Sequence, residues 1–287
     1  MQSTPLVSII IPTFNRAEVV QNAVRSCLVQ TYKNIEVIVV DDASTDRTSQ
    51  ILVSISDSRV RYFQHSQNKG PAGARNTGIK NAHGEYLAFL DYDDEWLPEK
   101  IERQLNVFEA LSSDVGLVFT NGYQEASGRE FFSKNAPSGV SYAPARDKFF
   151  PLRVLIAPPS AWMLSLKVVR ETGYFDESMY CWEDGDFLAR VAYKYPLYFL
   201  NESLVIWHAQ KEHLNSISSR LLEGKEIFIK NNIEELRKDK EYFFQFYRTL
   251  GKDACKVDKG RARGYFVKAL KIRPFDLRVV YKLFKTF

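Results

Sequence analysis

Four carboxylates in five positions, Asp91, Asp93, Asp94 and Glu95, follow directly on the apolar run Tyr86-Leu87-Ala88-Phe89-Leu90. In an extended chain Asp91 and Asp93 would face the same side and offer hard oxygen ligands of the kind that Mg²⁺ or Mn²⁺ takes. The same acids also suit a solvated turn ahead of a helix. A second acidic group, Glu183, Asp184 and Asp186, stands about 90 residues on, beside Trp182. Acids in a helix's first turn complement its dipole, and an aromatic beside them would also raise a carboxylate's pKa by desolvation, as a general base requires. His208 and His213 read either as ligands or phosphate contacts or as ordinary surface and core side chains.

These groups have to be positioned by an α/β scaffold. Val7–Pro12, Ile35–Val40 and Val60–Phe63 read as strands, and Tyr86–Leu90 as a strand buried on both faces. Between them, helical spacing runs from Val19 to Gln30, a helix carries Ile51 and Leu52 behind a cap at Ser44 or Asp46, and the stretch Asn68 to Gly78 opens a small-residue helix that runs to about Asn81 with Arg75 as its long cation. Pro98 opens a helix with Ile101, Leu105 and Phe108 on one face, and Val115–Phe119 is a further strand. This alternation predicts a largely parallel, Rossmann-like sheet flanked by helices, whose ligands would sit at the strands' carboxyl ends.

Residues 121 to 159 lose all periodicity and are expected to hold a binding loop. Beyond them come a strand at Ser160–Leu164, a short helix at Val168–Thr172, a helix from Cys181 to Ala192, and strands at Leu197–Leu200 and Leu204–Trp207. Residues 219 to 287 read as three or four amphipathic helices, which divides the chain into a catalytic domain over 1–218 and a basic helical region over 219–287. No G-x-G-x-x-G and no P-loop occurs.

The 287 residues, 45% hydrophobic and 26% charged, suit an ordinary globular protein. Cys27, Cys181 and Cys255 lie too far apart for a zinc or disulfide pattern, which fits a reducing compartment. The start lacks the form of a signal peptide and no apolar run is long enough to span a bilayer. Residues 258–287 carry 9 Lys+Arg against 2 Asp+Glu. That stretch is either a hairpin packed on the domain with a solvated basic face, or a peripheral contact with anionic lipid.

In this order and spacing the segments Val7 to Arg16, Val40 to Asp46, Asn68-Lys69-Gly70 through Ala74-Arg75-Asn76, Gly84 through Asp94, Gly173-Tyr174-Phe175-Asp176 and Glu183-Asp184 resemble a family 2 glycosyltransferase of the GT-A fold. The resemblance implies transfer of a sugar from a nucleotide donor, usually a UDP-sugar, with inversion at the anomeric carbon. It implies that Pro12, Thr13 and Asn15 line the nucleotide pocket, that Asp42 bonds the base and that Arg75 lies near the nucleotide or pyrophosphate. It further assigns Asp91 to ribose or metal, Asp93 to a Mn²⁺ or Mg²⁺ ion, and Asp184 to the catalytic base with Glu183 beside it. Where many relatives carry Tyr-Arg-x-His, this chain has Trp207-His208 and a second histidine at 213.

The expected partners are therefore a nucleotide-sugar donor and a glycan or lipid-linked acceptor in surface polysaccharide synthesis, with no nucleic acid. The expected location is cytoplasmic, at the inner face of a membrane if the tail binds lipid. Two other readings are a sugar nucleotidyltransferase, which normally has a glycine-rich basic phosphate loop after its first strand, and a non-catalytic nucleotide-sugar binding module. Pro12-Thr13-Phe14-Asn15 does not supply such a loop, and intact Asp93 and Asp184 weigh against a module without chemistry.

Overall fold

The computed structural model describes residues 4–111, 115–130, 132, 140–142, 158–208 and 217–287. Strands β1 (Val7–Thr13), β2 (Ile35–Asp41), β3 (Val60–Gln64) and β4 (Tyr86–Phe89) alternate with helices α1 (Val20–Leu28), α2 (Thr48–Val53) and α3 (Gly70–Lys80). All pairings among these four strands are parallel, and β1 and β2 are buried at every residue. That is why their sequences are continuous apolar runs rather than alternating ones.

Pro12 was expected to end the first strand, yet β1 continues through Thr13. Ile10 O accepts from Leu90 N and Thr13 O from Asp42 N, so positions 8, 10 and 12 turn their backbone polar groups toward β4 while 9, 11 and 13 turn theirs toward β2. The β4 pairing stops at Phe89, so the missing N–H of Pro12 faces no strand.

Beyond β4 come β5 (Asp94–Trp96), α4 (Lys100–Ala110), β6 (Leu117–Gln124), β7 (Val140–Tyr142), a 3₁₀ turn at Pro159–Ala161, β8 (Trp162–Ser165), α5 (Leu166–Thr172), α6 (Glu183–Lys194) and β9 (Leu197–Trp207). The sheet order is β3-β2-β1-β4-β8-β6-β9-β5, with β7 pairing with β9 off this path. β8 runs antiparallel to both β4 and β6, so the sheet is mixed on this side.

Three sequence readings change here. The acids after β4 do not stay extended: Asp94 N–H donates to Asp91 O at 3.1 Å in a tight turn, and Asp94 then enters β5, antiparallel to β9. The two strands expected at 197–207 are one, because β9 stays paired with β6 through register shifts around Asn121 that absorb polar Asn201-Glu202-Ser203. The helix expected from Cys181 begins at Glu183, since Trp182 is left-handed with φ 68°. Of the expected loop over 121–159, residues 121–124 extend β6 and 140–142 form β7, while 133–139 and 143–157 lie outside the described residues.

The last four helices are α7 (Ile217–Lys238), kinked at Asn232, α8 (Lys240–Ala254), α9 (Lys259–Ile272) and α10 (Leu277–Phe284). They build their own core from residues including Leu222, Phe244, Leu250 and Phe266. A second cluster joins Phe228 and Phe246 of this unit to Met179 and to Ala189 of α6, which packs the helices onto the α/β part.

Two glycines give opposite expectations for the same substitution. A Cβ at Gly78 in α3 would lie 2.4 Å from Cγ2 of Ile10, a fully buried β1 residue, whereas one at Gly264 in α9 meets nothing within 4 Å. Gly78→Ala should destabilise the protein by about 1–3 kcal/mol through overpacking, and Gly264→Ala should stabilise it by up to ~1 kcal/mol through helix propensity. Urea unfolding followed by circular dichroism checks both signs.

Candidate active site

The small-residue helix α3 lies against β1, with Gly78 allowing the close approach, and its amino end opens onto the carboxyl ends of β1, β2 and β4. A cleft of about 420 Å³ lies there, lined by Pro12, Thr13, Asp42, Arg75, Asp91 and Asp93 among the residues expected from sequence. Phe14, Arg16, Asn68 and Tyr180 also line it. Asn15 belongs to a neighbouring cleft with Thr45, Asp46 and Arg47. Its Oδ1 accepts from Thr45 N at 2.8 Å, and its own N–H donates to Ser44 Oγ at 2.8 Å, which ties the loop after β1 to the loop after β2.

Asp42 is spent on backbone. Its carboxylate accepts from Lys69 N and Gly70 N, both at 2.8 Å, and lies 2.7 Å from His65 Nδ1. These bonds cap the amino end of α3 and leave Asp42 almost fully buried.

Arg75 connects the two acidic groups. Its guanidinium donates to Asp91 Oδ1 and to Glu183 Oε1, each at 2.7 Å, while only 5% of the residue is exposed. Burial alone would lower its pKa; the carboxylates of Asp91, Glu183 and Asp184 outweigh that and hold it above the ordinary arginine value. The next residue, Asn76, exchanges hydrogen bonds with Phe175, donating to its O and accepting from its N, both at 2.9 Å. It also donates to Glu177 Oε1 at 2.8 Å. One turn of α3 thus fixes the acids after β4 and the segment leading to α6.

The acids differ in their surroundings. Burial, followed by the charge of Asp91, pushes Asp93 up to about 6. Asp94 is raised well above the carboxylate range by burial and by Asp91, and its Oδ2 accepts from Ser160 Oγ at 2.5 Å. Ser160 in turn accepts from Asp91 N at 3.1 Å, so it anchors the turn that carries all three aspartates. At α6, burial raises Glu183 despite the opposing charge of Arg75, with Asp184 adding to the rise. Asp184 is raised by burial too, against Arg75, with Asp91 contributing. A buried carboxylate with a raised pKa is what a general base near neutral pH needs.

His208 stands one residue past β9, its Nδ1 2.8 Å from Glu125 and its Nε2 3.0 Å from Glu95. His213 lies outside the described residues. Ser160 and Tyr180 carry no sequence signal of a role. Ser160 matters only because β8 is laid beside β4, and Tyr180 only because its ring reaches to within 3.8 Å of where a Gly70 Cβ would be.

Among the described residues no group of three or more His, Cys, Asp or Glu is arranged to hold a metal by itself. Asp93, half-buried with Asp91 nearby, still fits Mg²⁺ or Mn²⁺, ions that take one or two carboxylates and complete their shell with water and substrate phosphate. The cleft also presents two buried polar atoms without a hydrogen-bond partner, Thr13 Oγ1 and Arg75 Nε. Both can donate to an anionic ligand.

Comparison with known proteins bears on the fold and the family. In solved structures, the Staphylococcus aureus TarS 1–349 chain in complex with UDP-GlcNAc aligns with a TM-score of 0.71 at 19% identity, covering 98% of this chain and 88% of that one. The mannosyltransferase PcManGT of Pyrobaculum calidifontis, in complex with GDP-Man and Mn²⁺, aligns at 0.66 and 18% identity over 94% of this chain and 76% of that one. These likenesses show the GT-A fold expected from sequence. An uncharacterized glycosyltransferase of Rickettsia typhi is 35% identical over 70% of this chain and 63% of its own length. The Escherichia coli UDP-Glc:alpha-D-GlcNAc-diphosphoundecaprenol beta-1,3-glucosyltransferase WfaP is 46% identical over 42% of this chain and 47% of its own. The chain therefore spans less than two thirds of the length of these curated relatives. The family model described as glycosyl transferase family 2 matches residues 8–173, which takes in the β1 loop, the amino end of α3, Arg75 and the aspartates after β4, and the chain belongs to that family.

Proposed function

We propose that this glycosyltransferase moves a sugar from a UDP-sugar to a hydroxyl of a lipid-linked glycan, with inversion at the anomeric carbon and with a divalent cation. The observation that carries the reading is Arg75, a buried cation bridging the aspartates beside the cleft to the Glu183-Asp184 pair. The donor would lie in the cleft with its diphosphate toward Arg75, where Arg75 Nε and Thr13 Oγ1 have donors to spare. Asp93, with Asp91, would hold Mn²⁺ or Mg²⁺, which when bound supplies charge that offsets the diphosphate.

Asp184 is the base in this reading. It takes the acceptor hydroxyl's proton as that oxygen bonds to the anomeric carbon, while the bond from that carbon to the phosphate oxygen breaks and its electron pair leaves with the nucleoside diphosphate. A single displacement from the opposite face inverts the centre. Glu183 and Arg75 hold Asp184 in register. UDP as the nucleotide, and a lipid-linked acceptor, are supported by the WfaP relative and by WfgD, also a UDP-Glc:alpha-D-GlcNAc-diphosphoundecaprenol glucosyltransferase of Escherichia coli, 38% identical over 48% of this chain. An acceptor of that kind lies in a membrane, which makes peripheral contact through residues 258–287 part of the reading, approached from the cytoplasmic side.

Asp184→Asn should keep donor affinity, measured by thermal shift with UDP-sugars, yet lower kcat by about 10²–10⁴; transfer at the normal rate would remove Asp184 from the role of base. Asp93→Ala should abolish the extra thermal shift that Mn²⁺ adds to the UDP-sugar, and chelation should do the same to the unmutated protein. An unchanged shift in both would end the metal assignment.

The acid pair also fixes a pH dependence. The working form of Asp184 is the carboxylate, and burial raises its pKa. Transfer should therefore rise with pH along a limb lying above the ordinary carboxylate range. Glu183→Gln leaves Arg75 one fewer partner, so its charge bears more on Asp184 and the limb should move to lower pH. A kcat/KM profile whose limb stays put, or moves up, contradicts the coupling.

A further inference from the structure

The transferase reading gives residues 258–287 a peripheral membrane contact, and the surface of α10 shows which side chains would make it. On α10, Val279 and Leu283 pack inward onto the helical core. On nearly the opposite side of the same helix, Leu277, Tyr281 and Phe284 recur at positions i, i+4 and i+7 and are 79%, 59% and 71% exposed. Phe275 just before the helix and Phe287 just after it are 91% and 80% exposed. Other exposed large apolar residues, such as Val29, Val53 and Tyr174, are scattered singly over the α/β part. Solitary exposures of that kind are normal, whereas a contiguous set marks a contact surface.

Cations border this stripe. Arg278 and Lys285, both exposed, follow Leu277 and Phe284 by one residue and so lie along one flank, with Lys282 beyond them. Lys282 meets Arg248 and Lys252 of α8 closely enough that burial and these two like charges lower the Lys252 pKa. Among the described residues none of these three cations forms an ion pair with a carboxylate, and Arg248 Nε is buried without a partner. The carboxylate of Asp253 also acts on Lys252 but is paired with Lys225 at 2.7 Å, so the gathered cations can still take an anion from outside the chain. Placed beside an apolar stripe, they match the two layers of an anionic membrane surface, acyl chains for Leu277, Tyr281 and Phe284 and headgroups for the cations.

We propose that Phe275, Leu277, Tyr281, Phe284 and Phe287, with Arg248, Lys252, Arg278, Lys282 and Lys285 alongside, form a face that docks the protein on an anionic lipid bilayer. The basic composition of 258–287 supplies the charge complementarity, and among the described residues no helix is long and apolar enough to cross a membrane, so the contact is interfacial. For its purpose the proposal rests on the lipid-linked acceptor: docking would bring the cleft to a substrate confined to that surface.

The test is co-sedimentation of the full chain with vesicles of phosphatidylcholine alone or mixed in about equal parts with phosphatidylglycerol. The protein should sediment with the mixed vesicles, not with phosphatidylcholine alone, and should be released by salt. The double variant Leu277→Ser/Phe284→Ser should bind at least tenfold more weakly with its melting temperature unchanged, and Lys282→Glu/Lys285→Glu should weaken binding by at least roughly fivefold per reversed charge. Equal sedimentation by the wild type and both variants overturns the proposal. So does a concentration-dependent dimer in lipid-free buffer, seen by analytical ultracentrifugation and lost in the serine variant, because the stripe then belongs to a second copy of the chain. Hydrolysis of the UDP-sugar in lipid-free buffer separates this face from the site: the serine variant should hydrolyse at the wild-type rate. Vesicle binding by a wild type that uses no nucleotide sugar leaves the face standing and removes the transferase reading.

Discussion

A single buried guanidinium decides how this molecule is put together at its working end. Arg75 reaches Asp91 on one side and Glu183 on the other, residues 16 and 108 positions away in the chain. Taking a charge out of water is costly, and removing one partner from a buried pair typically costs about 3–5 kcal/mol because the other charge is then stranded. Arg75 and its carboxylates are therefore mutually obligatory. Of the three aspartates that follow β4, Arg75 pairs with only the first; burial, and after it the charge of Asp91, raises the pKa of the other two.

The backbone around the cleft is held in costly conformations. Among the described residues three that are not glycine have positive φ, Asn15 at 52°, Ala43 at 66° and Trp182 at 68°. They follow β1, follow β2 and precede α6, so all three lie where the chain turns into the site. Such conformations cost of order 1–3 kcal/mol each and persist only where surrounding contacts over-determine them. Here the contacts are visible: Asn15 is tied to Ser44 and Thr45, and Trp182 is hemmed in by Gly185 and Gly224, where an added Cβ would fall within 2.7 Å of Trp182 Nε1 and 2.0 Å of Cys181 O. The helical unit thus does more than append a basic surface. By pressing Gly224 of α7 against residue 181, and by the Asn232 to Asp186 hydrogen bond of 3.1 Å, it braces the amino end of the helix that carries Glu183 and Asp184.

Much of the scaffold was legible in the residue order. Strands β1, β2 and β4 and the small-residue helix announce themselves because a strand buried on both faces is mostly apolar, and because Gly, Ala and Thr on α3 permit a close approach that larger side chains would block. The order of the motifs likewise pointed to the family. What misled the reading was local: Pro12 looks like a strand end unless one knows that β4 stops short of it, and Asp91 to Asp94 look extended or solvated unless one knows that Ser160 and His208 satisfy them.

By itself, then, the sequence determined the alternating α/β pattern, the residue types able to bind a diphosphate and a cation, and the basic charge of the last helices, because each follows from periodicity or composition within one stretch. Only the tertiary structure decided that Arg75 joins the two acid groups, that Asn15 ties two loops together while Asp42 both caps α3 and lines the cleft with Asp93, and that α10 turns one apolar stripe inward and another out. Those outcomes depend on which distant segments share a low-dielectric space, and the burial that sets a carboxylate's charge or leaves a phenylalanine in water is a property of that space, not of the residue.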